Sequence, residues 1–320
     1  MRELLNLFPR YKFNKIVKKH SGNRYVKYYT SWQQLITLLY SQITNKDSLR
    51  EIVLSLNAHK NKWYHLGFKG VKRSTLSDSM EKRSYKIFEE LFYSLLEKCK
   101  RVTPKHKFKF SNPLYSIDST TIDLCLSIFP WAKFRKRKGA IKLHYLYNHS
   151  GCLPSFLTMT DGKKHDITVA KNNDKLNFKL LPGSIISVDK AYIDYEWLNL
   201  LDEKGVYFVT RVKNNIDCSE VGQHELIEDD DIEKDVLVTL NGVKSSKKYP
   251  KKLRIVGFIN SEDDYKYYEL PTNNFARSLK HLHIIISSVL MARVNILDIL
   301  QLTEVTIEKA RSPGRQVSIF

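Results

Sequence analysis

Two aspartates stand beside short apolar runs, and carboxylates in that setting can hold a divalent metal ion. Asp118 ends a strand predicted over residues 114–118, and Asp189 ends one predicted over residues 184–189. An unpaired charge is costly to bury, so we expect both carboxylates at the rim of a sheet, where open α/β folds bind ligands. Together they could bind a cation. For either aspartate alone, ending a strand or capping a helix is the more common use of the residue.

A basic and aromatic segment, residues 129–139, is the second candidate for function. It carries five lysines and arginines in eleven residues. Such cations contact phosphates without reading base sequence, and an aromatic ring beside them can stack on an exposed base. A solvated basic hairpin is the alternative, but the basicity of the whole chain favours DNA contact. The predicted contacts from this segment are Trp131, Lys133, Arg135, Lys136, Arg137 and Lys138, with Phe134 as a second stacking candidate.

Other common chemistries find little support. His144, His149 and His165 lack the spacing of a helical metal-binding pair, so we expect His144 in a strand and the other two in turns. The four cysteines contain no CxxC pair, which argues against zinc ribbons and redox motifs. No GxSxG segment occurs, so a hydrolase nucleophile elbow is not indicated.

Charge and composition point to a folded protein with a polyanionic partner. The chain has 320 residues, of which 42% are hydrophobic, which suits two or three folded domains. Its formal net charge is +19 and its pI is about 9.6, which favours nucleic acid, with general solubility as the alternative. No signal peptide is evident, and charged residues interrupt the most apolar stretch, residues 284–300. We therefore expect no membrane association.

The N-terminal residues 1–100 read as a helical domain. Apolar residues at helical spacing predict a helix near residues 32–43, with Ser31 as its cap, and another from residue 47. A long amphipathic helix is predicted over residues 78–98. Short helices separated by basic turns suit a DNA-binding domain, and an ordinary helical domain with solvated basic faces is the alternative. Residues 101–112 read as a basic linker.

Strand patterns dominate from residue 113. Strands are predicted over residues 114–118, 141–147, 152–160, 184–189 and 205–212, with a hairpin turn at 148–151 and helices at 168–178 and 194–204. A meander followed by a strand–helix–strand unit is the order expected of a ribonuclease-H-like domain, an α/β fold with a mixed sheet, over residues 113–213. Strands are also predicted at 236–240, 253–259 and 265–270, within a β-rich segment at 214–272.

The ordered set of motifs resembles the DDE transposases of bacterial insertion sequences, in particular the insertion-sequence-four family. The matching segments are SIDST at 116–120, FPWAKFR at 129–135, GAIKLH at 139–144, VDKAYIDY at 188–195 and FVTRVK at 208–213. WQQL at 32–35, DSLREI at 47–52 and RSTLSD at 73–78 are similar to the helical domain that precedes many such catalytic domains. The resemblance covers about residues 10 to 275.

The resemblance implies a ribonuclease-H-like fold with a β-rich insertion, here residues 214–272, and three carboxylates that bind two Mg²⁺ ions, for which Mn²⁺ could substitute. Asp118 and Asp189 match the first and second carboxylates. The implied partners are double-stranded DNA, as element ends and target, and a second copy of the chain in the DNA complex. Lys142 and Arg211 join the predicted DNA-contacting residues. The implied location is the bacterial cytoplasm, at the nucleoid.

The third carboxylate is where the chain departs from the family. In the family a glutamate lies in a helix with Tyr, then Arg, Glu and Lys at fixed spacing, yet no tyrosine follows Tyr268 here. We hypothesise a frameshift near residue 275, which makes residues 273–320 an atypical tail and predicts DNA binding without turnover. The alternative is a divergent tail in which Glu304 or Glu308 substitutes, Asp298 being the other acid. A metal-dependent nuclease without strand transfer and a non-catalytic DNA-binding protein remain open.

Overall fold

The structure, a computed structural model, describes residues 2–46, 48–103, 111–124, 133–135, 138–151, 153–172, 180–212, 216–223, 232–260 and 265–275. The chain forms two compact units. Of the described residues, those within 2–102 and 122–140 belong to the first unit, and those within 103–121 and 141–275 belong to the second. Among the described helices, none is both long and apolar enough to cross a bilayer.

Helices form residues 2–102 of the first unit, as predicted, and we call this part the helical unit. Its helices are α1 (Arg2–Leu7), α2 (Arg10–Lys19), α3 (Ser31–Ile43), α4 (Leu49–Ala58), α5 (Trp63–Leu66), α6 (Arg73–Lys82) and α7 (Lys86–Val102). Their apolar faces enclose one core, in which Phe13, Ile36 and Leu76 are completely buried. Burial of such faces, more than helix propensity, stabilises helices this short.

Two details of these helices correct the sequence predictions. Thr30, rather than Ser31, caps α3, because its side chain accepts a hydrogen bond from the Gln33 N–H. The helix predicted over residues 78–98 is interrupted, since α6 ends at Lys82 and α7 begins at Lys86. Arg83 lies between them in an extended conformation, and its guanidinium donates to Gln34 Oε1 (2.9 Å) and to the Tyr29 carbonyl. These long-range bonds hold the break, and helical periodicity does not reveal them.

The strands form a single mixed sheet. They are β1 (Leu114–Leu124), β2 (Lys133–Arg135), β3 (Lys138–Asn148), β4 (Leu153–Asp161), β5 (Ile185–Val188), β6 (Tyr207–Thr210), β7 (Cys218–Gln223), β8 (Ile232–Leu240), β9 (Leu253–Asn260) and β10 (Lys266–Thr272). Their order is β2-β3-β1-β5-β6-β10-β9-β8-β7, with β4 paired to β3. Helices α8 (Asp166–Lys171), α9 (Tyr195–Glu203) and α10 (Val243–Lys248) are the remaining described α-helices. The predicted fold class, a mixed α/β fold with a helical N-terminus, is confirmed.

The centre of the sheet is parallel and is covered on both faces. β1 pairs with β5, and β5 with β6, in parallel, whereas β10 joins β6 in an antiparallel direction. Ile186 and Phe208 pack into a core with Trp197, while Ile185 lies in a second core with Leu114 and other apolar residues. Parallel strands buried on both faces read as continuous apolar runs, which is why β5 is visible in the sequence.

One predicted hairpin turn and three predicted strands are found in the structure. The hairpin between β3 and β4 uses Gly151 at φ 75°, a conformation that glycine adopts readily, and Asn148 Oδ1 accepts from the Ser150 N–H. The strands predicted at 236–240 and 253–259 lie within β8 and β9, and the strand predicted at 265–270 overlaps β10, which begins one residue later at Lys266. The proposed domain boundaries at 100, 112, 213 and 272 stay predictions, and the tail from residue 276 lies outside the described residues.

Asp194 fixes the start of α9 and supplies a first prediction. Its Oδ1 accepts from the Trp197 N–H (3.0 Å) and from Lys171 Nζ (3.1 Å). Burial opposes the charged form, yet these donors leave the pKa of Asp194 below its usual value. We expect Asp194→Ala to lower the free energy of unfolding by about 1 kcal/mol at neutral pH. Because the folded-state pKa is depressed, this contribution is lost as pH falls through that pKa, so the deficit shrinks in acid.

Urea unfolding of Asp194→Ala and the parent chain across acidic and neutral pH measures this effect. Asp194→Asn is the matched control, since its amide oxygen keeps the cap and loses the charge. A deficit that is constant with pH would show that the charge of Asp194 contributes nothing.

Candidate active site

Three of the predicted site residues follow the paired ends of three neighbouring strands. The parallel register aligns Ile117 with Val188, and Val188 with Thr210. The next residues are Asp118, Asp189 and Arg211, which therefore lie at the same carboxyl edge of these paired segments. Neighbouring strands lie about 4.8 Å apart, so Asp118 and Asp189 each follow a backbone position that is one strand spacing from the other. This edge is where open α/β sheets bind ligands.

The structure corrects the prediction that Asp118 ends its strand. β1 continues through Asp118 to Leu124, and it is the parallel pairing with β5 that stops at Ile117. Asp118 is thus held inside a strand. Asp189 directly follows the last residue of β5, Val188, and caps a short 3-10 helix, Lys190–Tyr192.

Hydrogen bonds orient both carboxylates. Asp118 Oδ1 accepts from the Ser119 N–H at 2.8 Å, and its Oδ2 accepts from the Tyr145 hydroxyl at 3.3 Å. Asp189 Oδ1 accepts from the Lys190 N–H at 2.7 Å. Each carboxylate is therefore set by its own backbone neighbour.

A third carboxylate, Asp166, lies beside this pair and was not singled out in the sequence. It is the first residue of α8 and accepts a hydrogen bond from Ser119 Oγ at 2.7 Å. Lys142 Nζ lies 3.1 and 3.2 Å from its two oxygens. The only sequence signal is an acidic residue in a first helical turn, which is too common to identify a site. Lys142 forms an ion pair with Asp166, and its predicted contact with DNA stays a prediction.

Buried tyrosine and histidine side chains support this edge of the sheet. Burial first, and the charges of Asp166 and Asp118 next, raise the pKa of the Tyr192 hydroxyl, so it stays protonated. Burial lowers the pKa of His144 to about 4, with Asp166 partly opposing the shift. His144 is therefore neutral, and its Nε2 lies 2.9 Å from Thr160 Oγ1.

The predictions for the histidines are confirmed. His144 lies in β3, while His149 and His165 lie in the connections after β3 and before α8.

Arg211 lies over the Tyr268 ring, with its guanidinium carbon 4.9 Å from the ring centroid. Both residues line a cavity of about 410 Å³ that also includes Lys190 and Glu269. Lys190 immediately follows Asp189, and sequence reasoning did not select it. Lys190 and Arg211 are thus two cations next to the end of the strand that precedes Asp189. Cations at this position are suited to bind the phosphates on either side of a phosphodiester bond held at the carboxylates.

The remaining predicted DNA contacts belong to residues 129–139. Trp131, Lys136 and Arg137 lie outside the described residues. Lys133 and Arg135 belong to β2, and Lys138 begins β3. The alternative acids Asp298, Glu304 and Glu308 also lie outside the described residues. Contact between residues 129–139 and DNA stays a prediction.

The donor set suits a hard cation, although it is incomplete. Asp118 and Asp189 supply oxygen ligands, the type that Mg²⁺ prefers. Within the described part of the chain, no group of three or more histidine, cysteine, aspartate or glutamate residues has the arrangement of a metal site. Asp166 does not complete one, because Lys142 already neutralises it. Among the described residues, Asp118 and Asp189 are therefore the candidate metal ligands.

Two families match separate parts of this chain, and two relatives match about half of it. The family described as "Transposase DDE domain" matches residues 109–287, and "Domain of unknown function (DUF4372)" matches residues 1–69. The "Probable transposase for insertion sequence element IS5377" of Geobacillus stearothermophilus is 30% identical over 147 residues, which is 46% of this chain and 37% of the relative. The "Putative transposase y4zB" of Sinorhizobium fredii is 28% identical over 151 residues, 47% of this chain and 40% of the relative.

The aligned part thus spans well under half of either relative. Among solved structures, the NurA nuclease from Sulfolobus solfataricus covers 68% of this chain and 92% of its own, at 11% identity and a TM-score of 0.28. A likeness of that size carries no argument about the site.

Proposed function

Because this chain belongs to the DDE transposase family, we propose that it binds the ends of a mobile DNA element and catalyses their metal-dependent cleavage and strand transfer. The observation that carries the proposal is the position of Asp118 and Asp189, one residue beyond the paired ends of two adjacent parallel strands. That position brings two hard oxygen donors together at an accessible sheet edge, which suits phosphodiester chemistry.

Asp118 and Asp189 would hold a divalent cation, Mg²⁺ or Mn²⁺, which when bound supplies Lewis acidity to the attacking and leaving oxygens. The chain itself positions the groups. The N–H groups of Ser119 and Lys190 fix the two carboxylates, and the Lys142–Asp166 pair fixes the Ser119 side chain. Lys190 and Arg211 would hold the phosphates of the DNA strand.

The helical unit and the segment at 129–139 would hold further DNA, and two chains would act together on the paired element ends. In the bacterial cell that DNA belongs to the nucleoid.

One assay tests the function. Labelled DNA carrying the element ends is incubated with the chain and Mg²⁺ or Mn²⁺, and binding, nicking and joining are scored. The proposed transposase activity predicts all three, and the frameshift hypothesis predicts binding alone. Nicking without joining would support a nuclease of the same fold, and binding alone would support a non-catalytic DNA-binding protein. The last outcome would also agree with the absence of a third metal-binding carboxylate from the described residues.

The cavity beside Asp189 supplies a prediction about DNA contact. We expect Lys190→Gln and Arg211→Gln each to weaken binding of every DNA sequence to a similar extent. Each change should also reduce the slope of log affinity against log salt by about 0.9, which is the value for one lost phosphate contact. Arg211→Lys should recover part of the affinity, since it keeps the charge and loses the planar stack on Tyr268.

Lys244→Gln is the matched control, because Lys244 is exposed on α10 and does not line the cavity. Fluorescence anisotropy over a range of salt concentrations gives both quantities. Equal salt slopes for Lys190→Gln, Lys244→Gln and the parent chain would show that Lys190 makes no phosphate contact.

A further inference from the structure

The helical unit contains a broad basic groove. It is formed by the segment between α2 and α3 and by the chain around α6, and its volume is about 1100 Å³. Six lysine or arginine side chains line it, and Asp78 is the one carboxylate among the described lining residues. The cations are Arg24, Lys27, Lys69, Lys72, Lys82 and Arg83. A groove with this balance attracts a polyanion.

Two lining tyrosines are turned toward solvent. Tyr25 is 90% exposed and Tyr28 is 78% exposed, which is unusual for rings of this size. Tyr25 has φ 57°, a left-handed conformation that non-glycine residues adopt at a cost. The Arg24 guanidinium lies 5.0 Å from the Tyr25 ring centroid and donates to its hydroxyl at 3.1 Å. The exposed position of the Tyr25 ring is therefore built by the local backbone and by its neighbour.

The rest of the same segment is fixed to the unit, so the tyrosines project from an ordered base. Asn23 Oδ1 accepts from the Ser31 N–H at 2.7 Å, and Ser31 Oγ donates to the Gly22 carbonyl at 3.2 Å. Gly22 packs so closely that a Cβ there would lie 2.4 Å from Ile87 Cδ1. A strained, non-glycine conformation kept on a well-fixed segment is typical of a binding site.

We propose that this groove binds a DNA strand whose bases are unpaired, with base faces stacked on Tyr25 and Tyr28 and phosphates held by the surrounding cations. Duplex DNA covers its base faces and offers mainly phosphates to a basic groove, so exposed aromatic rings gain little from it. The unpaired bases of a single-stranded end expose their faces, and aromatic rings can stack on them. The inference rests on the proposed function, since cutting and joining DNA produces free strand ends.

The test compares three forms of one labelled oligonucleotide: a flush-ended duplex, the same duplex with a single-stranded end, and the single strand alone. The full chain and the variant Tyr25→Ser/Tyr28→Ser are measured by fluorescence anisotropy. We expect the double variant to lose about tenfold or more in affinity for the two forms with unpaired bases, and little for the flush duplex. Tyr25→Phe/Tyr28→Phe should bind like the parent chain, because stacking needs the ring and not the hydroxyl.

Tyr64→Ser is the matched control, since Tyr64 is 88% exposed in the same unit and does not line the groove. An equal loss on all three DNA forms, or no loss beyond that of Tyr64→Ser, would overturn the proposal. A change in oligomeric state with unchanged DNA affinity would overturn it too, in favour of contact between copies of the chain. Circular dichroism of each variant excludes unfolding, and the single variants Tyr25→Ser and Tyr28→Ser decide the question if the double variant is misfolded.

The outcomes separate this inference from the proposed function. Tyrosine variants that bind all three DNA forms as the parent chain does, while the parent chain cleaves element ends, would overturn the groove proposal alone. A chain that binds the unpaired strand through the tyrosines, but never cleaves DNA, would leave the groove proposal standing without the transposase activity.

Discussion

Replacing Asp118 or Asp189 by asparagine should abolish DNA cleavage while leaving the fold and DNA binding in place. Asparagine is nearly isosteric, and its side-chain oxygen can still accept from Ser119 N–H or Lys190 N–H. What is lost is the negative charge that a divalent cation requires. If the metal stabilises the transition state by about 4 kcal/mol, the cleavage rate should fall by roughly a thousandfold in each variant.

A second readout does not depend on turnover. Mn²⁺ that binds the folded chain should raise its melting temperature, because a ligand of the native state stabilises that state by mass action. We expect this rise in the parent chain and its loss in Asp118→Asn and Asp189→Asn. The readout therefore detects the metal site even if the third ligand is absent and the chain does not turn over.

The matched control is Asp161→Asn. Asp161 is an exposed aspartate at the end of β4, where its Oδ1 accepts from two backbone N–H groups, those of Lys163 and Lys164. Asp161 has the same side-chain chemistry and lies in the same unit. It does not lie at the carboxyl edge of β1, β5 and β6, where Asp118 and Asp189 are found. Should all three variants cleave DNA and respond to Mn²⁺ alike, Asp118 and Asp189 would not be metal ligands.

The sequence revealed the parts of this site that depend on local patterns. β1 and β5 are apolar because they are buried, and an aspartate after such a run stands out. The parallel register then follows from the fold and brings Asp118 beside Asp189. Asp166 and Lys142 were not recognised as a pair, because their contact depends on how α8 packs against β3, and neither residue type is unusual where it occurs.

The helical unit shows the same limit. Apolar spacing located α3 and α4, since that spacing reports which face is buried. It did not locate the break at Arg83, because residues on both sides keep the helical period. The break depends on bonds from Arg83 to Gln34 and Tyr29, which are about fifty residues away in the sequence. Sequence periodicity reports burial, and it contains no information about individual long-range polar partners.

Arg254→Met should be the most destabilising single change in the sheet. Arg254 is 1% exposed, and it donates from Nε and Nη2 to the two oxygens of Asp235 at 2.8 and 2.7 Å. Its Nη1 also donates to the Asn274 carbonyl at 3.2 Å. Removing the guanidinium leaves the buried Asp235 carboxylate without its counter-charge, so we expect a loss of about 3–5 kcal/mol in the free energy of unfolding.

The double variant Asp235→Leu/Arg254→Met separates the effect of leaving one buried charge unpaired from the effect of removing the whole ion pair. When both charges are removed, no buried charge is left uncompensated, and such replacements are often close to neutral. We therefore expect the double variant to recover most of the stability that Arg254→Met loses. Lys252→Met is the matched control, since it removes an exposed cation just before the same strand and should change stability by about 0.5 kcal/mol or less.

Urea unfolding followed by circular dichroism measures all four chains. The Asn274 contact adds a consequence for the end of the sheet, because this segment is also held by Asn273, whose Nδ2 donates to Asp202 Oδ1 and whose Oδ1 accepts from the Phe208 N–H. The double variant should therefore regain global stability while residues 273–275 exchange their amide hydrogens faster than in the parent chain. If Arg254→Met cost no more than Lys252→Met, the buried pair would not stabilise the sheet.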